Sequence, residues 1–199
     1  RYSPDGSRIV YWSGNFRGNA TGGGSSLFVV SLAGGAPMRL APDFFVARDA
    51  VWAPDGRSLL MLGRNDARAP VESSFDWWWV PLDGRAPVRS GAFDLRDFRA
   101  AAIGNAVSLG AWTSSGVIFT ARAQVWQLPV SPETGLVSGT PRQLASGAGR
   151  YLEPRASADG QVVFTVAAGQ RVIERLPLGS SLEPPVRLYS DGRQPVRAS

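Results

Sequence analysis

Three of the side chains that most often do chemistry are missing from this 199-residue sequence: it has no His, no Cys and no Lys. A Ser-His-Asp triad cannot be assembled without His. A thiol nucleophile, a disulfide and a thiolate metal site all need Cys. A Schiff base and a Walker-type phosphate loop need Lys. What remains is 16 acids and 21 basic residues, every one of them Arg. Paired carboxylates can hydrolyse glycosides, but no spacing here brings two acids together. Asp5, Asp55 and Asp159 are oxygen donors of the right type for a metal. Each sits in its own turn of the form Asp-Gly, which accounts for it fully. The glycine-rich stretch GNATGGGSS at 18–26 joins two predicted strands, with no following helix and no Lys, and reads as a hairpin loop. No catalytic, cofactor-binding or metal-ligating residue is expected. The ionisable residues with the best prospect of converging on a ligand are Arg48, Asp49, Glu153, Arg155 and Arg197. The reason lies in the repeat that positions them.

The phrase SPDGSRIVYW at 3–12 returns as APDGRSLLML at 53–62. Pro pre-sets the turn, Asp bonds its own backbone and Gly accepts positive φ. The apolar run that follows reads as a strand covered on both faces. Degenerate copies occur at Thr113-Ser114-Ser115-Gly116 and Ser157-Ala158-Asp159-Gly160, so the turn glycines are 50, 60 and 44 residues apart. A second register holds LFVVSL, WWWVPL, VWQLPV and VIERLPL, with Pro81, Pro129 and Pro177 at steps of 48. A third holds PMRL, PVRS, PRQL and PVRL, from Pro37, Pro87, Pro141 and Pro185. The strand leading into each next turn completes the unit: VARDAVW at 46–52, AVSLGAW at 106–112 and YLEPRA at 151–156.

No segment has a helical period with caps. Four short strands in units of about 45 residues are the signature of propeller blades. The fold expected is all-β: a β-propeller of four-stranded antiparallel blades. About four blades are present in one region, 1–199, with approximate units 1–50, 51–110, 111–155 and 156–199. Blade faces are buried by neighbouring blades, so Trp77, Trp78 and Trp79 are expected in the core rather than on an aromatic platform. Trp52 and Trp112, just before two turns, are expected between blades. Inner strands line the central channel. Counting back from the turns makes Asp49, Leu109 and Glu153 equivalent, and Arg197 would match if another turn followed Ser199. The competing role for these residues is solvation of the channel mouth with Asp–Arg pairing.

The formal net charge of +5 is spread along the chain and interleaved with acids, with no basic run and no Arg-aromatic stripe. That argues against nucleic acid, and no stretch has the length and apolarity of a transmembrane helix.

The SPDG–strand–strand–SLAGGAPMRL series resembles the TolB-type, WD-repeat-like β-propeller repeat of bacterial proteins, over essentially the whole chain. DWWWVPLDGRAPVRSGAF and VWQLPVSPETGLVSGTPRQLASG are similar to the propellers that follow the kinase domain in some bacterial serine/threonine kinases. Related propellers follow winged-helix regulators. The resemblance implies a ring of six or more blades, an extracytoplasmic location and a binding, sensing or protein-interaction role without catalysis by this chain. The partners it implies are a protein or small-molecule ligand and the remaining blades or domains of a parent protein. Residue 1 already lies inside the first turn motif, so the chain reads as a piece of a longer polypeptide. The alternative within the ring is closure of four blades by Gln194–Ser199. The alternative for function is the propeller of a peptidase or glycan-processing hydrolase.

Overall fold

The computed structural model describes residues 1–14, 24–95, 107–145, 147, 149–157, 160–168, 170–177 and 185–190. Almost all regular structure is β. The strands are β1 (Arg8–Gly14), β2 (Ser25–Ser31), β3 (Met38–Leu40), β4 (Val46–Trp52), β5 (Ser58–Arg64), β6 (Phe75–Pro81), β7 (Val88–Arg89), β8 (Ser108–Thr113), β9 (Gly116–Ala121), β10 (Gln124–Leu128), β11 (Arg142–Ala145), β12 (Arg150–Ala156), β13 (Gln161–Ala168), β14 (Gln170–Pro177) and β15 (Val186–Ser190). Among the described residues, a four-residue helix, α1 (Val71–Ser74), and a 3-10 turn at Ala92–Asp94 interrupt them. The sequence gives no sign of either. Each is about one turn long, too short to show a period.

The strands form four consecutive antiparallel units. β4–β7, β8–β11 and β12–β15 each pair in chain order, so each is a meander with its first strand at one edge. β1, β2 and β3 form the first unit, whose inner position holds only a short piece: Tyr2 pairs with Ile9. A single parallel pair, Ser25 with Val46, joins this unit to the next. Each unit thus begins with the strand that precedes the turn.

The turns follow the sequence. Gly6, Gly56 and Gly160 have φ of 71°, 68° and 82°. The Asp55 carboxylate accepts the Arg57 N–H at 2.9 Å, and Asp5 accepts Ser7 N–H at 3.0 Å and Ser3 Oγ at 2.5 Å. These donors hold the Asp5 carboxyl down at about 2. The third turn, without Pro and Asp, is a tighter hairpin. Thr113 pairs with Gly116 across Ser114 and Ser115, and Gly116 has φ of 130°.

Alternation along the central strands divides the core into three seams. Leu59, Met61 and Trp78 face the first unit, with Val10, Leu27 and Val29. Leu60, Leu62, Trp77 and Trp79 face the third unit, with Val117, Phe119 and Leu128. Ile118 and Val125 face the fourth, with Val162, Phe164 and Tyr151. Every residue of β5, β6 and β9 is buried. That requires cover on both faces and explains runs that do not alternate between apolar and polar. The three tryptophans are core, as expected, with Trp77 fully enclosed. Trp52 and Trp112 lie in the first and second seams, and their indole N–H groups donate to Arg1 O and Val130 O at 3.2 and 3.3 Å.

Candidate functional site at the inner strands

Each inner strand carries a β-bulge at the same level. Pairing of β4 with β5 slips between Arg48 and Val51, β8 with β9 between Leu109 and Ala111, and β12 with β13 between Leu152 and Arg155. A bulge re-aims side chains at the edge of a sheet. Asp49 and Glu153 occupy two of these bulges with φ of 52° and 50°. This is left-handed backbone that an acid adopts only at a cost, and such strain collects at functional positions. Gly110 takes the third bulge. Leu109 therefore pairs regularly with Phe119 and is fully buried in the second seam. Equivalence by counting placed Leu109 beside Asp49 and Glu153 at the channel; the bulge sends its side chain into the core instead.

Asp49 reaches across the seam. Its Oδ2 accepts the Leu109 N–H at 3.0 Å, so the second unit's carboxylate caps the third unit's bulge. Its Oδ1 lies 3.5 Å from the guanidinium of Arg1. Arg1 in turn donates to Leu109 O at 2.6 Å and to Gly110 O. One guanidinium therefore ties three units together. Burial holds Arg1 below its ordinary pKa, opposed by Asp49, with Arg155 and Glu153 also close enough to act on it. Burial also lowers Arg48, with Asp49 opposing. The structure thus brings Arg1, Asp49, Glu153 and Arg155 into one electrostatic group, with Arg48 beside Asp49. Glu153 and Arg155 are exposed. Arg197 lies outside the described residues, as do Asp159 and most of the 18–26 loop.

A concave pocket of about 330 Å³ opens beside this group, lined by Arg1, Val10, Tyr11, Trp12, Leu27, Asp49 and Ala50. Sequence reading missed Arg1. The signal was available: Arg1 stands five residues before Gly6, as Val51 stands before Gly56. Among the described residues no group of three acids is placed to hold a metal ion.

A second polar group lies away from the inner strands and was also missed. Asp76, fully buried on β6, accepts Trp77 N–H at 2.7 Å and Phe93 N–H at 3.2 Å. Arg89 Nη2 lies 2.8 Å from Asp76 Oδ2, while both Nη groups donate to Asp94 at 2.8 Å. The Asp76–Arg89 contact is charge pairing without hydrogen-bond geometry, which leaves Oδ2 unbonded. Burial outweighs the pairing and pushes the Asp76 carboxyl up to about 6. This group fastens the Ala92–Asp94 turn, whose Phe93 is buried against Phe75 and Trp77.

No family model matches the sequence, and no curated protein matches it. Solved structures do. The chain is similar to a TolB of Agrobacterium tumefaciens at TM-score 0.66 and 16% identity, over 95% of this chain and 63% of that one. A TolB of Acinetobacter baumannii aligns at TM-score 0.61 and 15% identity, over 94% and 42%. Prolyl oligopeptidase B of Galerina marginata aligns at TM-score 0.52 and 12% identity, over 99% and 27%. At such identities the likeness concerns the fold. The four units are blades of a TolB-like β-propeller, and the chain spans less than two thirds of the length of these neighbours.

Proposed function

We propose that this chain is a non-catalytic binding module, four blades of a larger propeller, which takes its ligand at the inner-strand mouth. The observation that carries the reading is the pair of acids, Asp49 and Glu153, kept in left-handed backbone at equivalent bulges. On the third inner strand the bulge falls one position later, on Gly110, without left-handed backbone. Of the two acids, Asp49 contacts the Leu109 N–H and Arg1. With Arg1 and Arg155 they present both signs of charge beside an open pocket. That suits a small zwitterion or a peptide better than a polyanion, since fixed charges of both signs repel a single-signed ligand as much as they attract it.

The parent protein in this reading is a bacterial sensor, with the propeller following a serine/threonine kinase or regulator domain, as the DWWWVPLDGRAPVRSGAF and VWQLPVSPETG segments suggest. The peptidase-propeller reading is favoured by one observation, the overlap with a prolyl oligopeptidase. In that reading the chemistry would reside in another domain.

The test is a titration of free amino acids and dipeptides against the chain, followed by NMR of the inner-strand amides. Binding that shifts Asp49, Leu109 and Glu153 and is lost in Asp49→Asn/Glu153→Gln supports the site. Asn retains an oxygen acceptor for the Leu109 N–H, so the fold should persist. Unchanged binding in the folded double variant rejects the site.

A further inference from the structure

Asp76 is the acid among the apolar residues of β6, and its side chain is wholly enclosed. Its Oδ1 is well supplied: it accepts the N–H groups of Trp77 at 2.7 Å and Phe93 at 3.2 Å, and Ser90 Oγ at 3.4 Å. Its Oδ2 has Arg89 Nη2 at 2.8 Å, without hydrogen-bond geometry. The guanidinium is aligned elsewhere, since Nη1 and Nη2 donate to the two oxygens of Asp94, both at 2.8 Å. Asp76 Oδ2 and Arg89 Nε are both left buried and unbonded. A bidentate guanidinium–carboxylate pair is directional, so Arg89 is set for Asp94 whether or not Asp76 carries charge. Ionised Asp76 therefore keeps a desolvation cost that its cation meets only in part.

The same atoms fasten a turn and a neighbouring unit. Phe93 and Asp94 belong to the 3-10 turn Ala92–Asp94. Ser90 Oγ accepts the Ala92 N–H at 3.2 Å, and Ser90 O accepts the Val137 N–H of the third unit at 3.1 Å. Lifting the turn removes the Phe93 backbone from the carboxylate and lets water in. An opening that hydrates a buried carboxylate is favoured by ionisation and opposed by protonation. The charged groups that act on Asp76 are Arg89 of β7, which opposes its burial, and Asp94 of the turn, which adds to it. Gly63 of β5, opposite Asp76 in register, is neutral, as is Val137. Ser74 of α1 is taken up by Arg64.

We propose that Asp76, Arg89 and Asp94 form a proton-operated latch on the Ala92–Asp94 turn, closed while Asp76 is protonated and released as it ionises. The device is independent of the inner-strand site. With the turn closed, burial raises the Asp76 carboxyl from 3.8 to about 6; opening returns it toward 3.8. Opening thus releases a proton, and the population of opened turn rises about tenfold from pH 5 to pH 7. The effect falls on the second seam as well, because Ser90, bonded to the same carboxylate, holds Val137. Mild acid tightens this rim and neutral pH loosens it.

Hydrogen exchange at single amides, followed by NMR on the 199-residue chain from pH 5 to pH 7, reads the latch. The probes are the N–H groups of Phe93, Asp94 and Leu95, which donate to Asp76 Oδ1, Gly91 O and Ala92 O. Each rate is divided by the intrinsic rate of a free amide at the same pH, which leaves the opening constant. A rise of about tenfold at these three amides is expected, while the Gly56 and Leu82 N–H groups, bonded to Ala53 O and Arg57 O, stay level. In Asp76→Asn, whose amide oxygen still accepts the Trp77 and Phe93 N–H groups, the rise should vanish. Level opening constants at the three turn amides of the native chain overturn the proposal, and that outcome needs no variant. A rise shared equally by Gly56 and Leu82 overturns it too, because Asp76 would then act on the whole fold and not on the turn. A rise that persists in folded Asp76→Asn assigns the proton to another group and overturns it as well.

Discussion

Asp76 gives a pH dependence whose sign can be worked out from its surroundings. It is enclosed on β6, with Arg89 at 2.8 Å but no hydrogen bond to Oδ2. Burial raises its pKa from 3.8 to about 6. Between these values the folded chain binds more protons at this site than the unfolded chain. The contribution of Asp76 to stability is therefore fullest near pH 4 and declines as pH rises through 6. Two pKa units correspond to about 3 kcal/mol. Asp76→Asn keeps an acceptor for Trp77 and Phe93 N–H and does not titrate. Urea unfolding of both proteins at half-unit steps from pH 4 to pH 7 isolates the site, because all other carboxylates are common to both. Stability of the native sequence relative to the variant should fall by about 3 kcal/mol across the series. With a slope of about 2 kcal/mol per molar urea, the midpoints should converge or cross by about 1.5 M. A relative stability that is flat with pH would show that Arg89 fully compensates for burial, and one that rises with pH that it more than compensates; either would refute the reasoning.

Trp52→Ala and Trp112→Ala should each cost on the order of 3–5 kcal/mol in denaturant unfolding, since both fill seams between blades; a loss below about 1 kcal/mol would place them at the surface. Gly56→Val should be far more damaging than Ser58→Val in the same assay. Gly56 has φ of 68° against Pro4, whereas Ser58 is buried with its hydroxyl unbonded and gains from an apolar replacement. Gly135→Ala should cost clearly more than Gly34→Ala, measured by thermal melting. Both glycines have positive φ, but a methyl at 135 overlaps Trp79, while one at 34 meets nothing within 4 Å.

Local signals in the sequence survive folding where the fold repeats them. VARDAVW is β4 to the residue, and the four Pro-Arg segments are the outer strands β3, β7, β11 and β15. These are short-range features: a turn chemistry and an apolar run, each recurring four times. The degenerate third turn is legible because Gly116 keeps its place before an apolar run; Thr113 there bonds Ser115 Oγ and donates to Gly116 O. The site was less legible. Asp49 and Glu153 were singled out as equivalent, but not that bulges hold them in left-handed backbone, because one extra residue in a strand leaves no mark in the pattern. Arg1 and the Asp76–Arg89–Asp94 group depend on contacts across seams and between strand and turn. Such contacts follow from three-dimensional pairing, and no residue type or spacing announces them.

The three seams share no residue. Val10 and Trp78 belong to one, Trp77 and Phe119 to the next, Ile118 and Phe164 to the last. Among the described residues there is therefore no common centre, and cohesion is a chain of nearest-neighbour contacts. Through the packed core, a disturbance at the first seam reaches the third by way of β5 and then β9, whose alternate residues belong to opposite seams. Loosening can thus begin at either outer blade and advance one seam at a time. The Arg1 guanidinium, touching units one to three at once, is the shortcut that couples the first two seams before the central strands have moved.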